Sequence, residues 1–137
     1  MRSLEPFSRT EPVGDVFRER GWQVVSLDWE LPADIRCDIM DWDYEATCPS
    51  RHFDCVWANP PCTEYSKAKT AGVRRLEEAN AVVQRTLEII LYFNPFGWAM
   101  ENPQTRLLKR QPCMVSQHFT GVGYCKHGIP YRKRTGF

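Results

Sequence analysis

Phe53-Asp54-Cys55-Val56-Trp57-Ala58-Asn59-Pro60-Pro61-Cys62 is the stretch on which the fold turns. Phe53 to Ala58 is a short apolar run, the pattern of a strand buried on both faces. The prolines that follow cannot extend a sheet ladder. They stiffen the chain just before a cysteine. A thiol therefore stands on a rigid loop at the carboxyl end of a buried strand, where open α/β sheets carry their sites. A second apolar stretch, Phe96 to Met100, ends in Glu101-Asn102-Pro103.

Strand and helix signals alternate around this stretch. Ser3 to Ser8 reads as a first strand. Pro12 to Arg20 reads as a helix, with Thr10 as N-cap and Pro12 in the first turn. Trp22 to Leu27 is a valine-containing run ending at Asp28, and Ile35 to Ile39 is a short third strand. The longest helix is expected from Arg74 to Phe93, because Leu76, Ala79, Val83, Leu87 and Ile90 recur at helical spacing. Asn94-Pro95 stops it. Pro103 to Lys109 predicts a short helix and Phe119 to Tyr124 a further strand. This alternation predicts an α/β fold, a doubly wound and mostly parallel sheet covered on both faces.

At 137 residues the chain is expected to form a single domain, 1–137, with enough apolar content for a core. Met1 to Thr10 lacks the apolar run of a secretory signal, and Leu87 to Phe93 is too short to span a bilayer. A soluble intracellular protein is expected, nuclear in a eukaryote and otherwise cytoplasmic. The six cysteines are Cys37, Cys48, Cys55, Cys62, Cys113 and Cys125. None forms a C-x-x-C pair, so neither a zinc site nor a disulfide framework is expected. Cys37 and Cys55 read as small core residues. The net charge of +1 hides an asymmetry, since residues 1–64 sum to −7 and residues 65–137 to +8. A basic half suits a phosphate backbone as well as it suits a solvated surface.

In a doubly wound sheet the strand ends line one rim. Here they are Phe7, Asp28-Trp29, Asp38-Ile39 and Pro60-Pro61-Cys62. An acidic residue after the second strand can hold a ribose diol. An aspartate after the third can accept a hydrogen bond from an adenine amino group, and an aromatic side chain can stack on the ring. The ordered set describes an adenosine pocket.

With these residues the sequence resembles the cytosine-C5 DNA methyltransferase family. Pro60-Pro61-Cys62-x-x-Tyr65-Ser66 is similar to its P-P-C-x-x-F/Y-S motif. Glu101-Asn102 is similar to its E-N-V motif, with Pro103 replacing valine. Gly128-Ile129-Pro130, within His127 to Phe137, resembles its Y-G-V-P-Q-x-R-x-R segment. Arg9 and Glu11 stand where the F-x-G-x-G motif that begins at Phe7 has glycines. The resemblance implies Cys62 and Glu101 as catalytic residues. It implies S-adenosylmethionine bound by Phe7, Asp28, Trp29, Asp38, Ile39 and Pro60. It implies nucleic-acid contacts from Ser66, Lys67, Asn102, Arg132 and Arg134, with the target base flipped out of the duplex. DNA is the implied partner, with RNA left open, and the protein is expected to be a monomer. The implied fold is the Rossmann-like sheet of S-adenosylmethionine-dependent methyltransferases, ending here before its last strand and target-recognition region. Two other readings stand beside it. Asn59-Pro60-Pro61 is also similar to the N-P-P-Y/F/W motif of amino-group methyltransferases acting on adenine N6 or cytosine N4, and the chain could be an inactive nucleic-acid-binding homologue.

Overall fold

A computed structural model describes residues 1–8, 12–66, 69–103, 106–123 and 134–136. Five strands form one sheet: β1 (Arg2–Pro6), β2 (Gln23–Asp28), β3 (Ile35–Arg36), β4 (Cys55–Ala58) and β5 (Gly97–Met100). Their spatial order is β3-β2-β1-β4-β5, and every pairing in this sheet is parallel. Helix α1 (Pro12–Glu19) connects β1 to β2, α2 (Tyr44–Thr47) lies between β3 and β4, and α3 (Leu76–Phe93) connects β4 to β5. The strand order runs outward in opposite directions from the β1–β4 pair. Right-handed crossovers then put α1 and α3 on opposite faces. The reversal between β1 and β4 opens a crevice at their carboxyl ends.

The central position of β1 accounts for its burial. Ser3, Leu4 and Glu5 are all buried, as expected of a strand covered on both faces. Leu4, Leu27, Val56 and Met100 carry the core across the sheet. Phe93, near the end of α3, meets Phe53 edge-to-face with centroids 4.9 Å apart. Trp42 and Tyr44 extend this aromatic cluster. Asp43 caps α2 by accepting from the Ala46 amide at 3.1 Å. Arg85 on α3 donates to the carbonyls of Ile39 and Trp42 and lies 4.7 Å from the Tyr44 ring centroid. One side chain thus holds the segment after β3 against the long helix. Asn94 ends α3 in the left-handed conformation, φ 44°, with its amide bonded to the Ile90 carbonyl.

Several expected bounds shift. The third strand shrinks to Ile35–Arg36, because Asp38 turns the chain by accepting from the Met40 amide. The expected strand Phe53–Ala58 starts at Cys55, and Phe53 packs into the core instead. On α3 the fully buried positions are Val83, Thr86, Ile89, Ile90 and Phe93, while Leu76, Ala79 and Leu87 are partly buried at the edge of that face. Of the helix expected over Pro103 to Lys109 the structure describes α4 (Arg106–Lys109), and residues 104–105 lie outside the described residues. Asn102–Pro103 is instead β6, paired antiparallel with β8 (Arg134–Gly136), which also pairs with β7 (Gly121–Gly123). β7 falls within the strand expected over Phe119 to Tyr124, whereas its antiparallel partners β6 and β8, and helix α2, were outside the sequence expectation. Thr10, Arg9, Glu11 and the Gly128-Ile129-Pro130 segment lie outside the described residues. No helix among the described residues is long and apolar enough to cross a membrane.

Candidate active site

The parallel register brings the two decisive loops together. Ala58 pairs with Met100 at the carboxyl ends of β4 and β5, and the Glu101 amide donates to the Ala58 carbonyl at 2.8 Å. Glu101 therefore leaves β5 beside the start of the Asn59-Pro60-Pro61-Cys62 loop. It does not lie at the start of a helix. A second link crosses the gap, for Asn102 Nδ2 donates to the Pro60 carbonyl at 3.4 Å, and Asn102 is only 3% exposed. Pro60 is buried, whereas Cys62 and Glu101 are partly exposed. Chemistry at this rim has a thiol and a carboxylate that a ligand can reach.

The loop beyond Cys62 is firmly built. The amides of Tyr65 and Ser66 both donate to the Cys62 carbonyl, at 3.1 and 2.9 Å. Tyr65 is fully buried and its hydroxyl donates to Asn80 Oδ1 on α3 at 2.8 Å. Glu64 pairs with Lys69 at 2.6 Å and accepts from the Arg75 amide at 2.9 Å. The Lys69 ammonium, then the Arg75 amide, hold its carboxyl below the usual value. The Arg74 guanidinium donates to the carbonyls of Glu64, Ser66 and Lys69. A cavity of about 750 Å³ opens along the outer side of this loop, lined by Pro61, Thr63, Glu64, Lys69, Val73 and Val82 among others. Cys62 is not among its lining residues, so this cavity flanks the rim and is not its centre.

The other rim residues follow the strand ends. Phe7, just after β1, has φ 62° and donates its amide to the Leu27 carbonyl at 2.8 Å. A bulky residue in the left-handed region is strained, and such strain concentrates at functional sites. The neighbouring Asn59 amide donates to the Pro6 carbonyl at 3.3 Å, across the β1–β4 crevice. Asp28 is buried at the end of β2. Its Oδ1 accepts from the Glu30 and Leu31 amides at 2.9 and 3.1 Å, and neither bond uses Oδ2. Trp29 beside it is 64% exposed, an indole free of the core. This pairing fits an adenosine, with a carboxylate oxygen for a diol and a planar ring nearby. Asp38 is exposed and Ile39 buried, so this pair offers a polar group at the surface and an apolar side chain to the core. Asn59 Oδ1 accepts from the Trp57 indole at 3.2 Å.

Burial pushes the Cys55 and Cys113 thiols up, helped at Cys55 by Asp54, and it raises Cys48 as well. These thiols are disfavoured as thiolates. Among the described residues no cluster of His, Cys, Asp and Glu could hold a metal ion. Ser66 closes the turn after Cys62. Lys67 and Arg132 lie outside the described residues, and of Arg134 only the backbone, in β8, is described. Sequence reasoning missed Arg74 and Asn80. Asn80 could have been noticed as a polar residue bordering the apolar stripe of α3.

Comparisons with known proteins give this rim a family. No family model matches the chain. A protein of Frog virus 3 (isolate Goorha) named "Probable DNA (cytosine-5)-methyltransferase" is 34% identical over 149 aligned positions, covering 98% of this chain and 68% of that protein. The chain belongs to the DNA (cytosine-5)-methyltransferase family. In this DNA (cytosine-5)-methyltransferase family member the motif residues Cys62 and Glu101 lie at adjacent strand ends. The fold agrees with a crystal structure of a provisionally assigned DNA modification methyltransferase encoded within an E. coli prophage. That match has a TM-score of 0.71 at 15% identity and covers all of this chain. The chain spans 45% of the length of that structure.

Proposed function

We propose that this protein transfers a methyl group from S-adenosylmethionine to C5 of cytosine in DNA through a covalent adduct between Cys62 and C6. The observation that carries this reading is the adjacency of the Cys62 loop and Glu101, through the Ala58–Met100 pair and the bond from Asn102 to Pro60. S-adenosylmethionine, when bound, supplies the electrophilic methyl that C5 receives. Asp28 and Trp29 would hold its adenosine, with Phe7, Asp38, Ile39 and Pro60 completing the rim.

Cys62 attacks as a thiolate, since the thiol is a poor nucleophile. Its sulfur bonds to C6 and the C5–C6 π electrons move to make C5 nucleophilic. Glu101 holds N3 and donates a proton there, which relieves the charge that addition places on the ring. After C5 is methylated its proton passes to solvent water, the Cys62–C6 bond breaks, N3 returns its proton to the Glu101 carboxylate, and the neutral aromatic ring leaves a free thiolate. The base reaches these groups only outside the duplex, at a cost of about a few kcal/mol. The basic second half of the chain, with Ser66, Lys67, Arg132 and Arg134, would meet the nucleic acid, while Asn102, expected among those contacts, is buried and ties the two loops instead.

Trapping tests the reading. Full-length protein, S-adenosylmethionine and DNA carrying 5-fluorocytosine should give an adduct that survives denaturation, because fluorine cannot leave C5 as a proton does. Cys62→Ser should abolish it and keep S-adenosylmethionine binding by calorimetry. A folded wild-type chain that binds S-adenosylmethionine but gives no adduct would overturn C5 chemistry.

A further inference from the structure

We propose that Tyr65, Asn80 and Gln111 form a positioning chain that sets the Cys62 main chain for attack, a role that rests on Cys62 being the nucleophile. The chain is continuous and directional. The Tyr65 hydroxyl donates to Asn80 Oδ1 at 2.8 Å, Asn80 Nδ2 donates to Gln111 Oε1 at 2.8 Å, and Gln111 Nε2 donates to the Leu107 carbonyl at 2.8 Å. It starts in the loop that bears the thiol, crosses α3, and ends on α4. At its loop end two amides, those of Tyr65 and Ser66, converge on the carbonyl of Cys62. Moving the Tyr65 side chain therefore moves the turn that presents Cys62.

Packing alone does not require this arrangement. Tyr65 is 0% exposed, and a phenylalanine would fill the same space without a polar atom. A buried hydroxyl is costly unless bonded, so the hydroxyl is matched here to one acceptor. The acceptor is oriented in turn, because Asn80 Nδ2 donates to Gln111 and so presents its oxygen to Tyr65. Burial, with Cys113 adding to it, holds the phenol well above its ordinary value, so the hydroxyl stays a donor at any working pH. A continuous, part-buried network of this kind, anchored on a buried hydroxyl, favours one geometry. Fixing geometry matters for nucleophilic addition, where a displacement of about 1 Å costs on the order of a hundredfold in rate.

The test uses the full chain. Tyr65→Phe should lower kcat for methyl transfer roughly tenfold, with KM for DNA and S-adenosylmethionine affinity unchanged. Hydrogen exchange at the Tyr65 and Ser66 amides should quicken while the Leu4 and Val56 amides keep their protection. Asn80→Asp, which keeps an acceptor for the phenol, should retain more of the rate than Asn80→Leu. A folded Tyr65→Phe protein with kcat within about twofold of wild type and unaltered exchange would overturn the proposal. If that variant does not fold, equal rates for the two Asn80 variants overturn it. A wild-type protein without methyl transfer would instead defeat the cytosine reading, and local exchange at Tyr65 and Ser66 would then decide whether the chain holds Cys62.

Discussion

The side-chain amide of Asn102 reaches from the end of β5 to the carbonyl of Pro60, at 3.4 Å, and so ties the carboxylate-bearing segment to the thiol-bearing loop. Glu101 and Cys62 lie on neither the same element nor the same loop. Their relative placement depends on the Ala58–Met100 register, on the bond from the Glu101 amide to the Ala58 carbonyl and on this side-chain bridge.

Asn102→Leu removes the bridge while filling similar volume. The 5-fluorocytosine adduct should form about tenfold more slowly. The fold should lose about 1–3 kcal/mol, because the buried Pro60 carbonyl is left without its donor. Stopped-flow trapping against urea melts separates the two effects. An adduct rate equal to wild type would mean that the bridge does not align the loops.

Arg74 closes the segment after Cys62 by donating to three carbonyls, those of Glu64, Ser66 and Lys69. Arg74→Ala should cost about 1.5–3 kcal/mol, the range for hydrogen bonds to a charged group. Limited proteolysis should then cut within Thr63 to Val73 first. Cleavage that begins elsewhere, at the wild-type rate, would show that the loop holds without the guanidinium.

Gly14 sits in α1, where an added Cβ would come 2.3 Å from Glu5 Oε2. Glu5 is 1% exposed, so its carboxyl has little room to swing aside. Gly14→Ala should destabilise the protein by about 1–3 kcal/mol through overpacking. Gly97→Ala, which meets nothing within 4 Å, should stay within about 0.5 kcal/mol of wild type. Equal urea midpoints for the two variants would contradict this close helix–strand approach.

Asp34 Oδ2 accepts from the Ser26 amide at 2.9 Å and from its hydroxyl at 2.8 Å. The backbone bond foremost, then the hydroxyl, hold this carboxyl below its usual value. A lowered folded-state value stabilises the fold above the unfolded pKa, about 3.9, and the gain is lost as pH falls through the folded value. The stability difference between wild type and Asp34→Asn should therefore be level near neutrality and shrink below about pH 3.9. Urea melts across that range measure it, and a difference that grows on acidification would reverse the sign.

Much of this was legible in the chain itself. Short apolar runs, each closed by a polar or proline-rich end and too short for a helix, fit buried parallel strands. Phe7, Asp28 and Cys62 could be placed on one rim because strand polarity in a doubly wound sheet leaves them no other. The missed parts depend on long-range geometry. Asn102–Pro103 reads locally as a helix start, yet it pairs as a strand with Arg134–Gly136, a partner more than thirty residues away that local pattern cannot show. Asn80 and Arg74 read as ordinary polar positions. Their importance comes from groups that only the folded loop brings within reach.

The all-parallel sheet also has a lower rim. Gly21, with φ 79°, turns the chain shortly before β2, and left-handed Asn94 turns it before β5. Phe96, 99% exposed, stands at the same end. Parallel strands force every such turn away from Cys62 by the length of the sheet. An affinity tag or a fluorophore inserted after Asn94 would therefore project from the edge of the sheet opposite the Cys62 loop.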